Sequence, residues 1–304
     1  KDTTVGVRNI ALGVNALYKN TTGTDNIAIG GAALSTSVTN VSNIAIGTSA
    51  LRATTTGVRN LAMGTNSLDG NTIGYDNISF GTDSMKSNTT GYSNVSIGTS
   101  SLTSNLTGRK NVSVGFNSLY SNVKGVENVA LGNGALYTNA ADYNVAIGSS
   151  SMASNTTGGE NVSIGWQALH SNTTGLANVS IGSRSMANNT TGTYNTSVGI
   201  FSMADNTTGN YNVAIGGSAL KSNTIGEENV AIGTDSLFSN TTGLYNVSVG
   251  TSALYANTVG VGCTGLGHAA LKVCTTGTEN TSVGSFSMLA TTVGSGNTAV
   301  GNSA

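Results

Sequence analysis

Apolar residues recur along this chain at fixed places in a unit of 17 residues. In Asn161-Val162-Ser163-Ile164-Gly165, an apolar, a small and an apolar residue stand between an Asn and a Gly. The same alternation returns as Ile27-Ala28-Ile29, Leu61-Ala62-Met63 and Val213-Ala214-Ile215. Alternation at a period of two is the pattern of a half-buried strand. It predicts one short strand per unit, with the first and third residues turned into a core. A third apolar position, eight residues after the Asn, holds only Leu or Met, from Leu17, Leu34 and Leu51 to Leu271 and Met288. It is assigned to the same core. No stretch repeats apolar residues at helical spacing over three turns, and the unit is too short for tetratricopeptide, ankyrin or propeller repeats.

The Asn that opens the unit fixes the register. It stands at Asn9, Asn26, Asn43, Asn60, Asn77, Asn94, Asn111 and Asn128, then at Asn144, Asn161, Asn178, Asn195, Asn212, Asn229, Asn246, Asn280 and Asn297. One unit is a residue short, between Asn128 and Asn144, and Cys263 replaces the Asn once. The expected fold is therefore all-β: a parallel β-solenoid, or β-roll, of about 18 coils forming a single repeat array over residues 1–304. The array begins and ends partway through a unit, as a segment of a longer chain would. Stacked coils would rise by ~4.8 Å each, and the recurring Asn would form a side-chain amide ladder.

Two glycine positions punctuate the unit. One ends the strand (Gly13, Gly30, Gly47), and the other closes a turn such as Asn172-Thr173-Thr174-Gly175. Both are read as sites of positive φ, which Gly or failing that Asn tolerates, and Asn40 takes the second position once. The short unit has no turn glycine (Asn139-Ala140-Ala141-Asp142-Tyr143), so its corner is expected to be rebuilt.

The middle strand residue is always small, as at Ala28, Ser96, Ser163 and Gly265. The position after the core Leu or Met, by contrast, admits Tyr18, Arg52, Lys86, His170 and Phe238. The alternation turns this small strip outward, and an outward position closed to large side chains implies a second backbone against it. The expectation is self-association through the Ala/Ser strip as a parallel homo-oligomer with cyclic symmetry.

The assembled motif resembles the Asn-x-Ala-x-Gly repeats in the heads of trimeric autotransporter adhesins. It is still more similar to arrays of tail-fibre-like proteins that carry an endosialidase-type intramolecular chaperone. Asn212 to Gly216, followed by Ala219, Leu220, Ser222 and Asn223, carry the likeness, which covers nearly the whole chain. The resemblance implies a homotrimeric β-roll. It also implies a structural shaft or head in an extracellular fibre or adhesin on a cell surface or virion, serving surface or host attachment with a cell-surface receptor or glycan as partner. A self-assembling extracellular filament is the alternative, and an ice-binding solenoid with ordered Thr rows is a more distant one.

Composition and charge narrow the chemistry. The net charge of −1 and the lack of a basic patch give no reason to expect nucleic acid, and no apolar run is long enough to insert in a membrane. No acid, base and nucleophile converge in the repeat, so the chain is read as not an enzyme, with no catalytic residues, cofactor or metal. The acids sit mostly at the corner before the Asn (Asp25, Asp76, Glu127, Glu160, Glu228, Glu279), where solvation explains them. His170 and His268 occupy different positions in distant repeats. Cys263 and Cys274 share one repeat and both replace Asn at what read as polar edges. A disulfide bracing that coil would imply an oxidising compartment, and two free thiols are the alternative. Asn20, Asn88, Asn155, Asn172, Asn206 and Asn240 form Asn-x-Ser/Thr sequons in turns expected to be exposed and open to glycosylation. Asn94 and Asn161 are sequons too tightly packed to carry a sugar. Tyr18, Tyr120, Tyr137, Phe238 and Tyr255 are exposed candidates for ligand contact.

Overall fold

The computed structural model describes residues 6–304. The chain is an all-β parallel β-solenoid built on the 17-residue repeat, in two compact units, Lys1–Ser150 and Ser151–Ala304. The first unit carries nine strands, from β1 (Ile10–Leu12) to β9 (Val145–Ile147), and the second carries nine more, from β10 (Val162–Ile164) to β18 (Thr298–Val300). Within each unit, every strand pairs in parallel with the next one in sequence, in strict repeat register: Val162 faces Val179, Ser163 faces Ser180 and Ile164 faces Ile181.

The strand stands the other way round from the sequence reading. Between β1 and β18, every strand buries its middle residue and leaves both flanking residues at least partly exposed. Ala28, Ser96 and Ser163 are wholly buried, whereas Ile97 and Ile181 are 38% and 37% exposed. The reason is the width of the coil. Each coil bends at three further positions of positive φ, filled by non-glycine residues except at Gly134, Gly262 and Gly296, and closes on an interior that holds one Leu or Met and two small residues. At Gly265 a Cβ would lie 3.2 Å from Leu254 Cγ and 3.3 Å from the Ala270 carbonyl oxygen, so the middle residue looks inward onto the core Leu. The Ala/Ser strip is small because its own coil encloses it, which overturns its assignment as a surface between chains.

Backbone conformation also explains why the core position excludes Ile and Val. Its Leu and Met residues have φ between 47° and 52°, in the left-handed region where β-branched side chains are severely disfavoured. The corner residue before the Asn (Asp25 at 60°, Tyr211 at 57°) and the residue two before the core position (Gln167 at 53°, Phe201 at 55°) share that region. None of the three positions holds Val, Ile or Thr in any coil.

The two glycine columns have different causes. Strand-end glycines do have positive φ, 134° at Gly13 and 137° at Gly165. Turn glycines such as Gly57 and Gly192 do not, which corrects that expectation. Their constraint is steric. A Cβ on Gly192 would stand 2.5 Å from the Gly209 carbonyl oxygen and would also strike Asn189 Oδ1.

That turn is the meeting point of two amide ladders. In the first, Asn161 Oδ1 accepts from the backbone N–H and Nδ2 of Asn178 at 2.9 and 3.1 Å, while Asn178 Nδ2 also donates to the Gly192 carbonyl at 2.9 Å. In the second, Asn189 Nδ2 donates to Asn172 Oδ1 at 2.8 Å and to the same Gly192 carbonyl at 3.1 Å. The turn Asn is thus an interior residue, tied to its neighbours above and below. Where the middle strand residue is Ser, a buried hydroxyl chain adds a third thread: Ser79 Oγ donates to Ser84 Oγ at 2.8 Å, and Ser96 Oγ to Ser101 Oγ at 2.8 Å. In the short coil the Ala141 carbonyl replaces the missing glycine carbonyl, accepting from Asn128 and Asn139 Nδ2 at 2.8 Å each.

The second ladder is interrupted in two places, at Ser37 and Thr54 and again at Cys274 and Thr291. Ser37 and Thr54 stand where neighbouring coils have the turn Asn, with Asn40 in the glycine position. Asn20 Oδ1, Ser37 Oγ, Asn40 Oδ1 and Thr54 Oγ1 are left buried without hydrogen-bond partners. A buried orphan polar atom costs about 1–3 kcal/mol. The triple substitution S37N/N40G/T54N restores the pattern of the other coils and is expected to stabilise the protein by roughly 2 kcal/mol, read as a higher denaturant midpoint. An unchanged or lower midpoint would contradict this account of the gap.

Candidate functional site

The inversion of the strand puts its large aliphatic residues on the outside. Two rows result in each unit, one from the first strand residues (Val95, Val112, Val129; Val162, Val179, Val213) and one from the third (Ile97, Val114, Leu131; Ile164, Ile181, Ile215). Parallel, unshifted pairing stacks each side chain on its equivalent one coil away. Neither row contains a charged residue, and Thr196, Thr264, Thr281 and Thr298 are the only polar members. Exposure reaches 40% at Ile215 and 45% at Leu266. Val and Ile are stiff at χ1, so this face is already ordered and loses little entropy on being covered.

Charges keep to other rows. Arg59 forks onto Asp76 one coil later, Nε to Oδ1 at 2.6 Å and Nη2 to Oδ2 at 2.9 Å, and Lys110 reaches Glu127 at 2.9 Å. The hydrogen bond from Arg59 holds Asp76 below the usual carboxylate range, and Asn66 does the same for Asp83. A lowered carboxyl pKa means that these contacts act above the ordinary carboxylate value and fade as pH falls through the folded one. Exposed pairs of this kind contribute little to stability. The corner acids are thus surface groups, some of them paired across coils.

The remaining sequence candidates fall in separate places. Asn88, Asn155, Asn172, Asn206 and Asn240 are fully buried and Asn20 nearly so, because they belong to the second ladder. The expectation of exposed, glycosylatable turns is therefore overturned: a glycosyltransferase cannot reach an amide that bridges two coils. The recurrence of this Asn at the repeat spacing was the available signal, hidden by its place in a turn motif.

Cys263 and Cys274 are buried too, not at an edge, and stand as free thiols rather than the expected disulfide. Cys263 keeps part of the ladder: its backbone N–H donates to Asn246 Oδ1 at 2.9 Å, and its Sγ lies 3.1 Å from the Gly277 carbonyl oxygen. A hydrogen bond from the Cys274 thiol draws Cys263 down to about 6, against the effect of burial, and the same bond and burial push Cys274 up.

Tyr120 stacks on Tyr137 with centroids 5.1 Å apart, and Phe238 stacks on Tyr255 at the same separation, while Tyr18 is 60% exposed. His268 packs edge-on against Phe286 at 4.9 Å, and His170 borders a surface cleft in the second unit. Among the described residues, no three His, Cys, Asp or Glu side chains gather in a group able to hold a metal ion.

Neither a scan against protein-family models nor a search of curated proteins returns a match to this chain. The aliphatic strand face is the feature that bears on function most directly.

Proposed function

We propose that this chain is a structural shaft or head segment of an extracellular fibre or adhesin serving surface or host attachment, with three parallel copies packed through their strand faces. The observation that carries the reading is the pair of charge-free Val/Ile rows on the outside of each unit. Soluble single chains rarely leave a contiguous apolar face of this kind open to water. Burying the exposed part of each Val or Ile gains up to about 1 kcal/mol per side chain, and the gain repeats from coil to coil. The interface so placed replaces the Ala/Ser strip, which the coil itself encloses. The likeness to trimeric adhesin and tail-fibre repeats supports both the number of copies and the attachment role.

Mass in solution tests the assembly. Wild-type protein is expected at three times 30.3 kDa, and V213D/I215D, which sets two carboxylates into the face, is expected to shift towards a single chain. A wild-type protein of single-chain mass would overturn the trimer. Open-ended polymers whose size grows with concentration would favour the self-assembling filament. The ice-binding alternative is served poorly by the Thr rows, because the first turn Thr is occupied along the stack, with Thr190 Oγ1 donating to the Thr207 carbonyl at 3.0 Å.

A further inference from the structure

The position after the core Leu or Met usually carries a side chain that lies over the turn, as the stacked Tyr120 and Tyr137 do. In two successive coils of the second unit it is Ala, at Ala187 and Ala204, with His170 before them and Lys221 after. The missing side chains leave a cleft of about 440 Å³, inside the ~300–1,000 Å³ typical of small-ligand sites. Ala204, only 5% exposed, belongs to its floor.

Its walls combine three kinds of group. Arg184 lies over the Trp166 ring, with Cζ 4.9 Å from the centroid, and donates from Nε to Gln167 Oε1 at 3.1 Å. Lys221 Nζ sits 6.0 Å from the Phe201 centroid and 5.3 Å from that of Phe238. Asn188 Nδ2 donates to Asp205 Oδ1 at 3.2 Å. The ion pairs among the described residues engage Arg8, Arg52, Arg59, Lys86 and Lys110, all in the first unit, so Arg184 and Lys221 face the cleft with no carboxylate partner of their own. Aromatic rings fix both cations without neutralising them.

We propose that this cleft binds an acidic sugar residue of an oligosaccharide, a hexuronate or a related carboxylated pyranose. With Arg184 and Lys221 positive and Asp205 negative, the lining carries one surplus positive charge, which suits a single carboxylate rather than a phosphate cluster. Arg184 presents the planar donor geometry that matches a carboxylate. A simple anion has no use for acceptors, yet Asp205 and Gln167 offer them beside the donor Asn188. Sugar hydroxyls both donate and accept, and a pyranose ring has an apolar face that fits against Phe201. None of the lining residues belongs to the Val/Ile rows, so the cleft does not compete with self-association for the same surface.

The assignment deepens the attachment reading and rests on it only for its biological meaning. Titration calorimetry with hyaluronan and oligogalacturonate hexasaccharides, with a chitin hexasaccharide as neutral control, tests it on the full chain. At least one acidic probe is expected to bind about tenfold or more tightly than the neutral one. A187Y/A204Y fills the cleft with a residue that the same position already carries elsewhere, and R184Q/K221Q removes the charge. Each is expected to weaken binding about tenfold or more while leaving solution mass unchanged, so a failure here is separable from a failure of the fibre assembly. The proposal is overturned if neither acidic probe binds, if the neutral probe binds equally well, or if the filled variant binds as wild type does.

Discussion

Replacing Gly165 with Ala is expected to destabilise the protein by about 3–5 kcal/mol. Gly165 has φ of 137°, where an L-residue is strained. The added Cβ would stand 2.5 Å from the Gly182 carbonyl oxygen and 2.6 Å from its carbon. Both obstacles are backbone atoms of the next coil, held by strand pairing, so neither can turn aside as a side chain would. The matching control is Gly217, where a Cβ meets nothing within 4 Å and φ is not positive. Gly217→Ala is expected to change stability by less than about 1 kcal/mol in either direction. Denaturant midpoints of the two variants decide the matter, and equal midpoints would refute the close approach of coil backbones.

The second large effect is expected at Asn178. Asn178→Ala removes the acceptor for the Asn195 N–H and Nδ2, at 3.0 and 3.1 Å, and the donor to Asn161 Oδ1 and Gly192 O. The Asn195 N–H is left buried and unpaired, whereas Gly192 O keeps the bond from Asn189. Lost bonds and one orphan donor together are expected to cost about 3 kcal/mol. Asn188→Ala, at an exposed amide that reaches only Asp205, is expected to cost less than about 0.5 kcal/mol. A similar loss at both would show that the ladder adds nothing beyond ordinary surface hydrogen bonds.

The spacing of Asn, Gly and Leu made the coil legible, because each such residue meets a demand that recurs once per turn of the chain. The direction in which the strand faces was not legible. Val162 and Ile164 alternate with Ser163 in a way that fits either face, and the usual rule turns the larger residues inward. Here the rule fails because a chain that bends through left-handed residues such as Leu169 and Gln167 has no room inside for three large side chains. The same narrowness explains what went unread in the turns. Asn172 and Asn189 looked like exposed turn residues, yet at the inner wall of a tight corner their amides are the groups that join one coil to the next. The cleft beside Arg184 could be read only as two alanines in a variable position. Its walls come from three different rows, and their meeting is a property of stacking, not of any one motif.

An interior made chiefly of amides, hydroxyls and methyl groups, with a single Leu or Met per coil, also shapes how the protein responds to temperature. Exposing apolar surface raises the heat capacity of unfolding and exposing polar surface lowers it. Unwinding these coils releases much of the second and little of the first, so enthalpy and entropy change slowly between cold and heat. The stability curve is correspondingly broad and flat, so the coils hold their form over a wide span of temperature.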